Sequence, residues 1–384
     1  MSVIWHHGAW NRNFGDWVLF DSIQHHLRQA AGRDVHFVPV DSQRTAYRDE
    51  LIAKLNAEAD LLVVGGGGLI FNRPEDNSVS GWQFNIRPED IEKIKVPLVV
   101  YGIGYNRFPF DGNDFPPVLN THLKKVQDLS ALFSVRNRGT RREIERRGLD
   151  PQKIRVVSDA GVFAPSTALK IPGLDPQRPV IGINVAGDRP HHRFPGRTAA
   201  PADEERKYYE VLADALALLV KEQNAQVLFL PHILEIDEEA RPLFRSRLGD
   251  NMICFKEALP QLYPPAAITA SFLVGAYDQC NLVLGMRGHA CLLAYGRGVP
   301  FLALGGHAKT SFLLEDIGLP GRQLSTDRAL SGELTATEAA SIITEALHDK
   351  EARSRQITTL EAARAEFDAW NRDVVALLDR PGKK

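Results

Sequence analysis

DQCNLVLGMRGHACLLAYGRGVPFLALGGHAKT, residues 278–310, is the stretch whose pattern decides the class of fold. Leu282–Leu284 is a short continuous apolar run, the mark of a buried strand. A tight turn carrying Arg287 and His289 follows. Then come a short apolar helix at Ala290–Tyr295, a Gly-x-Pro break, and a second buried strand at Phe301–Leu304. Strand, turn, helix and strand make one βαβ unit of a parallel sheet. The turn lies at the C-terminal end of a strand, where open α/β sheets bind ligands. An Arg and a His at the start of a helix suit an anion. The guanidinium offers a fork to carboxylate or phosphate, helix-end N–H groups add positive potential, and imidazole can move a proton near neutral pH. Two residues apart, Arg287 and His289 reach one cleft only if the backbone between them is extended, since helical spacing would splay them by about 200°.

The same alternation runs through the rest of the chain. Val3–His6 is a first strand, followed by a polar turn with Asn13, Gly15 and Asp16 and a helix over about Trp17–Ala30. Asn13 or Asp16 serves there as helix cap or ligand contact. Leu61–Val64 runs straight into Gly65–Gly68, and a strand that enters consecutive glycines lets something approach its backbone; Gly66 and Gly67 are therefore expected at the ligand. No Gly-Lys-Ser/Thr follows, which excludes a Walker A loop. Residues 72–88 read as a surface loop over the cleft, with Trp82 and Tyr105 as aromatics available to stack on a sugar or to fill the core. Residues 111–119 read as a Pro- and Gly-rich loop. Strands at Pro97–Gly102, Leu132–Val135 and Arg155–Val157 end beside Gly104, Arg136 and Asp159 respectively, and the basic helix Thr140–Arg147 reads as a solvated face. Leu169–Pro179 lacks apolar periodicity and reads as a linker. A second cycle begins at Val180–Val185, with Asn184 at the strand end, then a loop carrying His191 and His192, a long helix over Glu204–Lys221, and a strand at Gln226–Leu230 ending at His232. Thr337–His348 and Leu360–Leu378 are closing helices. The expected fold is α/β, with two Rossmann-like doubly wound domains facing a cleft: an N-terminal domain over 1–168, a C-terminal domain over 178–350, and a closing helix within 351–384.

Composition narrows the function. The 384 residues carry a formal net charge of −2, so nothing favours non-specific binding to nucleic acid or an acidic membrane. The three cysteines lack metal-ligand spacing and fit a reducing compartment. Adjacent His191 and His192 do not converge on one ion. The first residues lack a basic segment followed by an apolar one, and no apolar run is long enough to span a bilayer, so a cytoplasmic protein is expected.

The order of the strand-end motifs resembles the polysaccharide pyruvyl transferase family. The resemblance rests on NFGD at Asn13–Asp16, DLLVVGGGG at Asp60–Gly68, Val-Arg-Asn-Arg at Val135–Arg138, Ser158–Asp159, Pro231–His232, and the Arg-x-His turn at Arg287–His289 followed by Gly298–Pro300 and Lys309. It implies a fold similar to the B-type glycosyltransferases, no metal or other cofactor, and transfer of a pyruvyl group from phosphoenolpyruvate to two hydroxyls of a sugar, giving a cyclic ketal. It also implies His289, Arg287 and Asp16 as catalytic residues, with Asn13, Gly15, Gly66, Gly67, Arg136, Asp159, Asn184, His232 and Lys309 binding a small-molecule donor and a sugar or glycan acceptor. The chain departs from the family turn, usually Ser-Arg-Leu-His, by placing Met286 and Gly288 at its first and third positions. Two other classes fit the same scaffold: a metal-independent glycosyltransferase or sugar-nucleotide enzyme, and a ligand-binding relative without turnover.

Overall fold

The computed structural model describes residues 1–10, 13–72, 78–108, 114–264 and 268–379. Of the loops expected at 72–88 and 111–119, residues 73–77 and 111–113 lie outside the described residues. Two six-stranded parallel sheets carry the fold. The first holds β1 (Ser2–Gly8), β2 (Val35–Asp41), β4 (Leu61–Gly65), β6 (Leu98–Ile103), β7 (Leu132–Val135) and β8 (Arg155–Val156), in the order β2-β1-β4-β6-β7-β8. A separate short pair is formed by β3 (Ala46–Tyr47) and β5 (Asn85–Ile86). The second sheet holds β9 (Val180–Asn184), β10 (Gln226–Phe229), β11 (Met252–Cys254), β12 (Leu282–Gly285), β13 (Phe301–Leu304) and β14 (Gln323–Leu324), ordered β11-β10-β9-β12-β13-β14.

Both orders reverse beside a first strand: between β1 and β4 in one sheet, and between β9 and β12 in the other. These reversals are the switch points at which doubly wound sheets open a crevice for ligand. Central strands such as LLVVG of β4 are buried along their whole length. Helices on both faces make such strands continuously apolar rather than alternating. The expectation of two Rossmann-like α/β domains holds.

The halves share a core. One buried cluster joins Val18 and Leu19 of the first helix (Phe14–Ala31) to Leu273, Ala290 and Tyr295 of the second half and to Phe367 and Trp370 of the last helix. Polar links follow the same seam. Phe14 N–H donates to the His232 carbonyl at 3.0 Å, and Arg142 pairs with Glu315 at 2.5 Å. The last helix runs over Lys350–Ala376, ten residues earlier than its apolar pattern suggested, and returns to the first half. There Asn371 accepts from the Tyr101 hydroxyl at 2.8 Å, and Arg155 pairs with Glu366 and Asp373.

Several expectations need correction. The segment around residues 78–86 is not a surface loop: Trp82 and Phe84 are fully buried, and Tyr105 nearly so. Trp82 Nε1 donates to His122 Nδ1 at 2.8 Å, and its ring meets Phe84 edge-on, so these aromatics anchor the segment into the core. The basic helix spans Arg138–Glu145 and is only partly a solvated face. Arg147, just beyond it, lies over the Phe115 ring with its side chain 16% exposed. The helix after β12 begins at Gly288 rather than Ala290, which places His289 in its first turn. The strands β11 and β14 lay beyond the apolar pattern, because two or three residues give no usable periodicity, and so did the helix Arg241–Leu248, which buries only Phe244 and Leu248.

Candidate functional site

The two switch points face each other across a cavity of about 390 Å³ whose walls come from both halves. The first half supplies Asn13 and Asp16 before and within the first turn of Phe14–Ala31, Gly68 beyond β4, Asn106 and Phe108 beyond β6, and Arg136 beyond β7. The second half supplies Asp188 and Arg193 beyond β9, Arg287 and His289 beyond β12, and His307 and Lys309 beyond β13. Among the described residues the lining holds five cationic side chains, Arg136, Arg189, Arg193, Arg287 and Lys309, against two carboxylates, Asp16 and Asp188. A cation-rich crevice of this size suits a small polyanion.

The turn after β12 is fixed by its backbone. Arg287 N–H donates to Asn184 Oδ1 at 3.0 Å, and Asn184 Nδ2 donates to the Leu230 carbonyl at 2.7 Å. Asn184 is fully buried, so its amide ties three strand ends together. Arg287 is extended, with φ −78° and ψ 139°, and caps the helix Gly288–Gly296. This extended residue is what lets Arg287 and His289 reach the same cavity. The Arg287 guanidinium is committed: Nε donates to Asp237 Oδ2 at 2.8 Å, Nη2 to Asp188 Oδ1 at 2.8 Å, and Nη2 also to Asp237 Oδ1. Asp237 is fully buried and further accepts from the backbone N–H groups of Gly187, His232 and Ile233. Burial works against the Arg287 charge, but the two carboxylates outweigh it and raise its pKa. Burial would raise Asp188, yet Arg287, Arg193 and Arg189 together hold it below the usual carboxylate range.

His289 approaches the first helix closely enough that a Cβ on Gly15 would lie 2.6 Å from its ring. Its Nδ1 stands 3.7 Å from Asp16 Oδ1. Burial first, then Arg136, Lys309 and Arg287, push His289 down to about 3, so within the protein alone the ring is neutral. Its Nε2 is buried without a hydrogen-bond partner. Three further nitrogens of the lining share that condition, Nε2 of His307, Nη2 of Arg136 and Nε of Arg193. Arg136 is held by Asp159, with Nη1 to Oδ2 at 3.3 Å, and Asp159 also accepts from Gly161 N–H at 3.0 Å. Lys309 is partly buried beside Arg136 and Arg287. Burial is the main cause, with those two cations next, of a fall in its pKa to about 7. That places an amine at the pKa a neutral acid–base group needs.

The structure thus gathers Asn13, Asp16, Arg136, Arg287, His289 and Lys309 at one cavity. Gly15, Asp159 and Asn184 stand behind it and position those that line it. His232 is buried beyond the wall, with Nε2 2.8 Å from the Tyr277 hydroxyl and its pKa pushed by burial to about 3. Gly66 and Gly67 take φ of 84° and 82°, which a residue with a side chain rarely adopts, and they pack on Leu19 of the first helix. Asp188, Asp237, Arg193 and His307 were not singled out from the sequence. Asp188 falls four residues after Asn184, at a strand end like the others. Asp237 sits in the acidic run Glu235–Glu239, which reads as a solvated face. Among the described residues no three His, Cys, Asp or Glu side chains gather as a metal site, and no helix is long and apolar enough to cross a membrane.

Solved structures share the architecture at low identity. A putative UDP-N-acetylglucosamine 2-epimerase from Listeria monocytogenes superposes with TM-score 0.59 at 12% identity, over 97% of this chain and 94% of that one. The S. aureus MnaA–UDP complex gives 0.56 at 12%, over 98% and 95%. The calicheamicin glycosyltransferase CalG4 gives 0.50 at 13%, over the whole of both chains. These likenesses establish the fold of B-type glycosyltransferases and their epimerase relatives. No curated protein matches the sequence. The family model described as polysaccharide pyruvyl transferase matches residues 13–307, a span that runs from the Asn13 cap to His307 and takes in both switch points, and the chain belongs to that family.

Proposed function

We propose that the protein moves the pyruvyl group of phosphoenolpyruvate onto two hydroxyls of a sugar or glycan, with a cyclic ketal and inorganic phosphate as products. Phosphoenolpyruvate is itself the activated donor, so this chemistry asks for no cofactor. The observation that carries the reading is the set of buried, unpartnered nitrogens of Arg136, Arg193, His289 and His307 in a cavity with excess cations. Buried polar nitrogens without partners are costly, and an anion with several oxygens relieves the guanidinium N–H groups directly and the ring nitrogens once they carry a proton.

In this reading Arg136 and Lys309 hold the phosphate. Arg287 spends Nε and Nη2 on Asp237 and Asp188, which leaves Nη1 as the nitrogen for the donor carboxylate. His289 is the general acid. The arriving dianion raises its pKa from about 3, loads a proton on the ring, and the ring delivers it to the donor methylene carbon. A sugar hydroxyl adds to the resulting electrophilic carbon as Asp16 takes its proton. The C–O bond to phosphate breaks, and a second hydroxyl closes the ketal. Asn13, Gly15, Gly66, Gly67, Asp159, Asn184 and His232 shape or support the pocket.

The test is thermal stabilisation by phosphoenolpyruvate beside UDP-sugars, repeated on Arg136→Gln. A ligand at about 100 times its dissociation constant adds about 2.7 kcal/mol. Stabilisation by phosphoenolpyruvate that is lost in the variant is the expected result. Stabilisation by a UDP-sugar with none by phosphoenolpyruvate overturns the reading in favour of a sugar-nucleotide enzyme on this fold.

A further inference from the structure

A second cavity, of about 300 Å³, lies behind the first, and the two share Arg136, Gly288 and Lys309 as a common partition. Gly288 keeps that partition thin. A Cβ there would stand 2.8 Å from Lys309 Cε, so the lysine stem crosses the helix start only because residue 288 has no side chain. Beyond the partition the apolar part of the wall, Leu292, Tyr295, Leu313, Ile317 and Ala363, comes from three helices, Gly288–Gly296, Ala308–Asp316 with its end, and Lys350–Ala376, beside the polar Arg138, Asp159, Asp316 and Thr359. Ala362, exposed, and Glu366, with its side chain 46% exposed, mark the mouth at the last helix. The charged groups of the lining are Arg136, Arg138 and Lys309 against Asp159, Asp316 and Glu366. Cationic nitrogens stand at the inner end, where Arg136 Nη2 is buried and unpartnered on a side chain only 5% exposed. Carbon lines the middle.

We propose that this second cavity is a binding site for a small amphipathic anion, with its phosphate or carboxylate head at Arg136 and Lys309 and its apolar body between Leu292, Tyr295, Leu313 and Ala363. The head and the body are both required by the walls. A bare inorganic anion leaves the apolar middle unfilled, and a neutral apolar molecule leaves the Arg136 nitrogen without an acceptor. The site shares Arg136 and Lys309 with the donor site proposed for the first cavity, so an anionic head in one competes with a phosphate in the other for the same two cations.

Calorimetric titration with phenyl phosphate and with inorganic phosphate tests the proposal on the wild-type protein and on Ala363→Phe, which fills the apolar middle from the last helix. The wild type binds phenyl phosphate at least about tenfold more tightly than phosphate, the gain that burying an apolar ring provides. Ala363→Phe removes that excess and leaves phosphate binding within about twofold of wild type. Ala362→Trp, at an exposed position of the same helix, narrows the mouth and decides the matter if Ala363→Phe melts at a lower temperature than wild type. Equal affinities for the two ligands, an excess that survives both substitutions, or no binding of phenyl phosphate overturns the proposal.

Discussion

Arg287 and Arg136 reach one cavity from opposite halves of the molecule and are held in opposite ways. Arg287 has two carboxylates, one of them fully buried and saturated with backbone N–H donors. Arg136 has one carboxylate at 3.3 Å, one orphan nitrogen, and Lys309 beside it as a second cation. The first arrangement is balanced in charge and rigid. The second carries uncompensated positive charge on largely buried side chains, which stores electrostatic free energy that an anion releases. The same residue type is thus held by fixed carboxylates in one place and left with an open nitrogen in the other.

The difference is broken most severely at Asp237. Asp237→Ala strands the buried Arg287 charge and three backbone N–H groups, and removing one partner of a buried pair costs about 3–5 kcal/mol. Urea unfolding should show a loss of that size. Asp237→Asn keeps acceptors for some of the N–H groups and should lose less. A loss below about 1 kcal/mol in Asp237→Ala would mean that the guanidinium finds other partners.

Lys309→Met probes the uncompensated side and should act with the opposite sign on stability. It removes a cation that burial and Arg136 disfavour, so the variant unfolds at equal or higher urea concentration, while turnover falls by at least about 100-fold. The pH dependence carries its own sign. Lys309 titrates at about 7 in the folded chain and near 10.5 when unfolded, so between those values the unfolded state binds more protons. Stability from this group therefore rises with pH across that window and is flat below it. Subtracting the Lys309→Met profile from wild type isolates the slope; a difference that falls with pH contradicts the depressed pKa.

The balanced side was the harder of the two to read in the sequence. The βαβ unit at 278–310 announced a parallel sheet, because its apolar runs are continuous and its turn is punctuated by glycine. The positions of Asn13, Arg136, Arg287 and His289 followed from strand ends alone. What lay hidden was their partners. Asp237 approaches Arg287 from 50 residues away through the third dimension, and nothing local distinguishes it from Glu238 or Glu239. Trp82 and Tyr105 show the same limit in reverse: their polar, aperiodic surroundings suggest a surface, and only the packing of Phe84 and His122 on Trp82 and of Phe115 on Tyr105 reveals a core. Sequence pattern reports which face a residue serves within its own element, while charge pairing depends on which elements meet.

Two glycines sharpen the comparison at the smallest scale, since each leaves room for a side chain of the proposed reaction, and the two side chains differ in stiffness. A Cβ on Gly15 would lie 2.6 Å from Cβ and Nδ1 of His289, whose position is set by the helix start it belongs to. A Cβ on Gly288 would lie 2.8 Å from Cε of Lys309, near the free end of a four-carbon stem that can swing aside. Gly15→Ala therefore has to move a helix or turn the imidazole. A displacement of about 1 Å in a catalytic group costs on the order of 100-fold in rate. Gly288→Ala moves only the ammonium, and its rate should stay within about tenfold of wild type, with stability changed by no more than about 0.5 kcal/mol. Steady-state rates of the two variants, each normalised to its folded fraction, give the comparison directly. If Gly288→Ala proves the more damaging, then the ammonium is placed as tightly as the imidazole, and Lys309 acts on the proton itself rather than as a movable counter-charge for phosphate.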